Sequence, residues 1–143
     1  MASVEVRELL VPLPLRRKIV LALEIFRAYV HVRRLLRRKY LPTVVRELRG
    51  AERSGEGLVA EDGAARAAGL RLGSAVSRFL PFDSRCLIRS LVLTELLARR
   101  RIDATLVIGV ASEPKFGAHA WVESGGSELL PSNGAQFQPL VSL

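Results

Sequence analysis

Residues 84–101 read SRCLIRSLVLTELLARRR, and residues 104–124 continue as ATLVIGVASEPKFGAHAWVES. The first stretch has the period of a helix, the second that of strands, and this change of period decides the fold. Leu87, Ile88, Leu91, Val92, Leu93, Leu96 and Leu97 cover most of a helical circumference, so this helix is predicted to lie buried at the centre. Arg99, Arg100 and Arg101 mark its exit. ATLVIGVAS (104–112) is apolar on both faces, the pattern of an internal strand. HAWVES (119–124) reads as a second strand, Gly125-Gly126 as a two-residue hairpin signal, and SELLPS (127–132) as the return strand. Helices first and an antiparallel meander afterwards predict an α+β fold, a central helix packed on a small antiparallel sheet.

Upstream, residues 64–79 (AARAAGLRLGSAVSRF) read as a helix loosened by Gly69 and Gly73, and Pro81 breaks the chain before the central helix. Residues 50–63 (GAERSGEGLVAEDG) have no sustained period and read as a loop. From Leu15 to Lys39 there is neither Gly nor Pro. Ile19, Ala22, Leu23, Phe26 and Val30 recur there at helical spacing as one apolar stripe, with Arg16, Arg17, Arg27, Arg34 and Arg38 on the other side. The cluster RRLLRRK (33–39) ends this amphipathic helix, and a second short helix is predicted from Pro42 to Arg49. Residues 1–14 carry Pro12 and Pro14 and read as a short strand or an arm.

Charge divides the 143 residues in the same place. Residues 1–49 hold 12 basic and 4 acidic side chains, while residues 50–143 are balanced, so the net charge of +8 belongs to the N-terminal segment. The organisation read from this is a basic helical segment (1–49) available for docking, a loop (50–63) and a neutral core (64–143). A basic segment meets nucleic acid, anionic membrane or an acidic protein surface; the ordinary alternative is a solvated cationic face. The leucines within RRLLRRK form a packing face and no aromatic platform accompanies them, which argues against nucleic acid. Residues 19–32 are too short, and too interrupted by Glu24 and Arg27, for stable membrane insertion. One cysteine and two histidines exclude an internal disulfide and any multi-thiolate metal site. A lone thiol and no secretory signal are compatible with the cytoplasm.

Cys86 is the residue that calls for chemistry. Asp83 or Ser84 is a credible N-cap, and either places Cys86 in the first helical turn. Unpaired N–H groups and the positive end of the helix dipole converge there, and Arg85 and Arg89 add charge. Such surroundings stabilise a thiolate and offer amides to an oxyanion. The ordinary alternative is a small buried apolar side chain. His119, the one histidine of the core, opens a strand that also carries Trp121, and imidazole is the usual base for a cysteine nucleophile. Its own ordinary alternative is a satisfied strand histidine. His31 reads as structural or surface.

A third group should orient the imidazole. With Gly125-Gly126 as the turn, Ser124 pairs with Ser127, Glu123 with Glu128, and His119 with Ser132. Glu123 lies four residues along the strand, about 13 Å away, and Glu128 is similarly remote. A bulge brings Asn133 opposite the histidine, so Asn133 is the candidate acceptor and Ser132 the second.

The run CLIRSLVLTELLARRRIDATLVIGVASEPKFGAHAWVES (86–124) resembles lasso-peptide leader peptidases, the transglutaminase-like B proteins of those biosynthetic clusters. The resemblance covers about residues 79–130: C-L-x-R-S-L-x-L at a helix start, an R-R-R exit, L-V-I-G-V on a strand, and A-H-A-W-V-E. It implies a papain-like cysteine endopeptidase that removes the leader from a ribosomally made precursor, with Cys86 as nucleophile, His119 as general base, and no metal or cofactor. The family usually places an aspartate about a dozen residues past the histidine; here Pro131 stands there and no Asp follows Asp103. Asn133 then replaces it, or the site works as a dyad. The partners implied are the precursor peptide, a separate leader-recognition protein and the lasso cyclase. Acyl transfer on the same Cys/His pair, and a non-catalytic basic binding module, are the two alternatives.

Overall fold

The computed structural model describes residues 14–50, 63–80, 85–111, 116–124, 127–129 and 137–143. Among them, helices α1 (Leu15–Arg38), α2 (Leu41–Gly50), α3 (Gly63–Phe79) and α4 (Cys86–Arg99) precede strands β1 (Thr105–Ala111), β2 (Gly117–Ser124), β3 (Ser127–Glu128) and β4 (Gln138–Ser142). The fold is α+β, with a small antiparallel sheet in the order β3-β2-β1-β4.

The apolar circumference of α4 explains its position. Ile88 and every residue from Ser90 to Leu97 are buried, and α4 touches the other three helices as well as β1 and β2. Its exit is fixed by main-chain bonds from Arg101 N–H to Ala98 O and from Ile102 N–H to Leu97 O, both 3.0 Å. This is the pairing of a Schellman cap, with Arg101 at φ 57° in the position that glycine usually fills and Ile102 buried just beyond it. The chain turns there into β1, which lies inside the sheet as its two-sided apolar pattern requires. The register Glu123↔Glu128 and Ser124↔Ser127 fits a two-residue link. Pairing to β2 continues to the bond from Leu129 N–H to Val122 O, 2.9 Å, and the remainder of the expected return strand lies outside the described residues.

Two features differ from the sequence reading. The first is β4, an edge strand bonded to β1 with a register shift between Ile108 and Gly109. Pro139 hides it, because proline lacks the ladder donor and is accommodated only at an edge or irregularity. The second is a further, buried apolar row on α1 beside the single stripe read from the sequence. The stripe Ile19, Leu23 and Phe26 faces out, and the buried face is Ile25, Ala28, Tyr29 and Val32, packed in one core with α2, α3 and α4. The helix therefore carries two apolar rows.

A buried acid ties α1 to α4. The carboxylate of Glu95 is 5% exposed, and its Oε1 accepts from His31 Nδ1 (3.0 Å) and Arg99 (2.5 Å) while Oε2 has no partner. Each neighbour matters mainly because it compensates a buried charge. Arg99→Ala is expected to cost about 2–3 kcal/mol, a fall of several degrees in Tm. In a Glu95→Leu background, which is itself within about 1 kcal/mol of the native chain, the same change is expected to cost almost nothing. Thermal unfolding of the four proteins of this cycle checks it, and an equal cost in both backgrounds contradicts the account.

Candidate active site

α4 starts at Cys86, with Arg85 as its capping position and no side chain bonded there. The first bond at the helix mouth runs from Arg89 N–H to Arg85 O, 3.2 Å, so the amides of Cys86, Leu87 and Ile88 precede the ladder. Asp83 and Ser84, the expected caps, lie outside the described residues. Cys86 is half-buried, packed against the core.

Its sulfur is held by the sheet. Cys86 Sγ accepts from Ala120 N–H at 3.4 Å, and Ser90, one turn further along α4, donates its hydroxyl to Ala120 O at 3.0 Å. The reason lies in the ladder. Val122 bonds toward β3, so Ala120, two residues away, points its N–H and C=O to the same side. Among the described residues the pairing with β3 stops at Leu129, and two side chains spaced i and i+4 on α4 meet the main chain of Ala120 instead. The helix mouth is thereby pinned one residue from His119.

The imidazole lies across the strand from this contact. Ala120 and Val122 join the core under α4, so His119 and Trp121, alternating with them, occupy the other face. The His119 ring stacks on Trp121, centroids 5.9 Å apart, and meets Phe137 at 5.0 Å. Trp121 is in turn fixed by its indole N–H, which donates to Glu123 Oε1 at 2.9 Å. Nε2 of His119 is buried without a hydrogen-bond partner, and among the described residues no hydrogen bond joins it to Cys86. Burial lowers the His119 pKa below its ordinary value, and the negative charge of Glu128 partly opposes this.

The structure thus sets Cys86 against the main chain beside His119, while the imidazole itself remains in an aromatic stack. Asn133 and Ser132 lie outside the described residues. His31 is a partner of Glu95, in keeping with a structural role. Sequence reasoning passed over three contributors. Ser90 had a visible signal, a polar residue inside an apolar helix four places after Cys86. Gly109, directly opposite His119 in the ladder, was an isolated glycine in a strand. Glu128, too remote to hold the ring, acts on it only through its charge. Among the described residues no three His, Cys, Asp or Glu side chains come together as metal ligands, and no helix is long and apolar enough to cross a membrane.

The sequence signature of the transglutaminase-like superfamily matches residues 26–142. This chain belongs to the transglutaminase-like superfamily. As a transglutaminase-like protein it keeps within the matched span the start of α4 at Cys86, the sheet with His119, and most of α1. It is also 53% identical over 48 residues to the microcin J25-processing protein McjB of Escherichia coli. That match takes in 34% of this transglutaminase-like chain and 23% of the relative's length. No solved structure gives a significant match.

Proposed function

We propose that this transglutaminase-like protein is a cytoplasmic cysteine endopeptidase that removes the leader from a ribosomally made lasso-peptide precursor. The observation that carries the reading is the half-buried Cys86 sulfur at the mouth of α4, held by Ala120 N–H beside His119. The similarity to a microcin J25-processing protein supplies the substrate class. The implied partners are the precursor, a separate leader-recognition protein and the lasso cyclase.

His119 leaves its stack by turning about its side-chain bonds toward Cys86 and takes the proton of its thiol. Catalytic hydrogen bonds of this kind commonly tighten only once substrate is bound. The thiolate adds to the scissile carbonyl carbon, and the first-turn amides of α4 receive the oxyanion. The C–N bond breaks, the leaving amine takes the proton from the imidazolium, and a thioester remains. Water, deprotonated by His119, then attacks the thioester, releases the leader carboxylate and restores the thiol. Asn133, with Ser132 second, is the proposed acceptor that orients the ring. This chemistry needs neither metal nor cofactor. The superfamily also favours a second reading, in which an amine replaces water at the thioester.

Incubating the full chain with precursor, with and without the recognition protein, and weighing the products tests the proposal. A leader ending in a free carboxylate supports hydrolysis, an amide-linked product supports transfer, and an unchanged precursor in both incubations overturns both. The low His119 pKa adds a prediction. The acid limb of kcat/KM is expected to have its midpoint below 6.5, the ordinary imidazole value, because the base stays neutral to lower pH. The sign for stability agrees. The unfolded chain binds the proton more readily, so this contribution is complete above the unfolded value and is lost as pH falls through the folded one. A limb centred above 6.5 contradicts the assignment of His119 as the base.

A further inference from the structure

We infer that the outward row of α1 is a docking seam for a helix of a partner protein that is apolar along its seam and acidic beside it. Leu15, Ile19, Leu23 and Phe26 are 73%, 52%, 58% and 57% exposed, although the opposite face of the same helix is fully engaged in the core. With Val30, Arg33 and Arg37 they form one line at intervals of 4, 4, 3, 4, 3 and 4 residues. This is the spacing that receives the knobs of a second helix. The line is apolar through its first five positions and cationic in its last two. Arg16, Arg27 and Arg34 run alongside it, each one residue beyond a member of the line. At its cationic end, Tyr29, Val30, Arg33, Arg34 and Arg37 line a shallow cleft.

Charge selects the occupant. The sole acid in α1 is Glu24, and it is engaged by Arg100 at 2.9 Å. A second copy of this chain would bring arginine row against arginine row, with no acid of α1 to answer it. A bilayer surface calls for a broad apolar face, whereas here Val20, 62% exposed, is the one large apolar side chain exposed beside the row, it is flanked by Arg16 and Arg27, and the row ends in arginines on its own line. A helix with leucines facing Leu15–Val30 and carboxylates facing Arg27, Arg33, Arg34 and Arg37 satisfies both the apolar area and the charge. The seam stands independently of the Cys86 chemistry.

The test uses the full chain and a labelled synthetic amphipathic helix of about 20 residues, leucines in its seam and glutamates beside it. Fluorescence anisotropy is expected to show binding that weakens as salt rises. The pair Leu23→Glu with Phe26→Glu is expected to weaken it tenfold or more, with circular dichroism and Tm unchanged. The pair Arg27→Glu with Arg34→Glu reads the charge separately and is expected to weaken it as well. A matched peptide carrying lysines in place of the glutamates is expected not to bind. Equal binding of the two peptides overturns the inference, as does indifference to both variants. So does binding to phosphatidylglycerol vesicles without binding to the peptide, or a dimer of the native chain that Leu23→Glu dissolves.

Discussion

Cys86→Ala is expected to leave the fold intact and to slow leader release by at least about 10⁴-fold, the scale on which removal of a covalent nucleophile acts. The magnitude separates this from any structural role of the thiol. Sγ is one acceptor for one amide, so its loss leaves the buried Ala120 N–H without that partner, a cost of about 1–3 kcal/mol. Cys86→Ser sharpens the distinction, because a hydroxyl accepts the same amide. Its Tm is expected to match the native chain while its rate stays within about tenfold of the alanine variant, since a serine hydroxyl is a far poorer nucleophile than a thiolate in a site built for sulfur. Both rates come from single-turnover assays with precursor in which product mass is followed. A Cys86→Ala protein that still releases leader at the native rate removes the thiol from the chemistry. His119→Ala belongs beside it, with an expected loss of about 10²- to 10⁴-fold in rate and a stability loss of about 1 kcal/mol from the ring contacts with Trp121 and Phe137, too small to account for it.

Much of this arrangement was legible in the sequence because it rests on period. The seven apolar positions of 87–97 leave a helix no solvent face, and α4 is buried accordingly. Two glycines between two alternating runs set the register, and Ser124 pairs with Ser127. What period cannot resolve is a helix with two apolar rows. In α1, Ile19, Leu23 and Phe26 form as good a stripe as Ile25, Ala28 and Val32, and only tertiary packing chooses between them. Pro139 concealed β4, because the edge position that makes a strand proline tolerable is itself a tertiary fact. At the site, residue types pointed to Cys86 and His119, whereas strand alternation, with His119 and Ala120 on opposite faces, decides that the sulfur meets an amide while the ring meets Trp121.

Gly109→Ala is expected to destabilise the protein by about 2–3 kcal/mol, and to lower activity by more than the unfolded fraction explains. A Cβ at this position would lie 2.6 Å from Trp121 Cη2, 2.7 Å from its Cζ3 and 2.9 Å from Gln138 O. No rotation of a flexible side-chain end relieves these contacts. The indole is 3% exposed and held by its N–H to Glu123, and the Gln138 oxygen is main chain of β4. The added methyl must therefore move the ring on which His119 stacks, or lift β4 from β1, or both. Hydrogen exchange separates the two, since lifting β4 quickens its own amides and moving the ring leaves them protected. Trp121→Phe provides the decisive comparison. Phenylalanine lacks the outer indole ring, so Gly109→Ala is expected to cost at least about 1 kcal/mol less in a Trp121→Phe background than alone. An additive pair would mean that Gly109 serves β1 by backbone freedom and not by making room for the indole. The same cycle read in kcat tests the link to the site. If the Trp121 stack sets the position from which His119 turns toward Cys86, the single Gly109→Ala variant loses kcat with KM little changed, because that starting position is displaced and the peptide-binding surface is not.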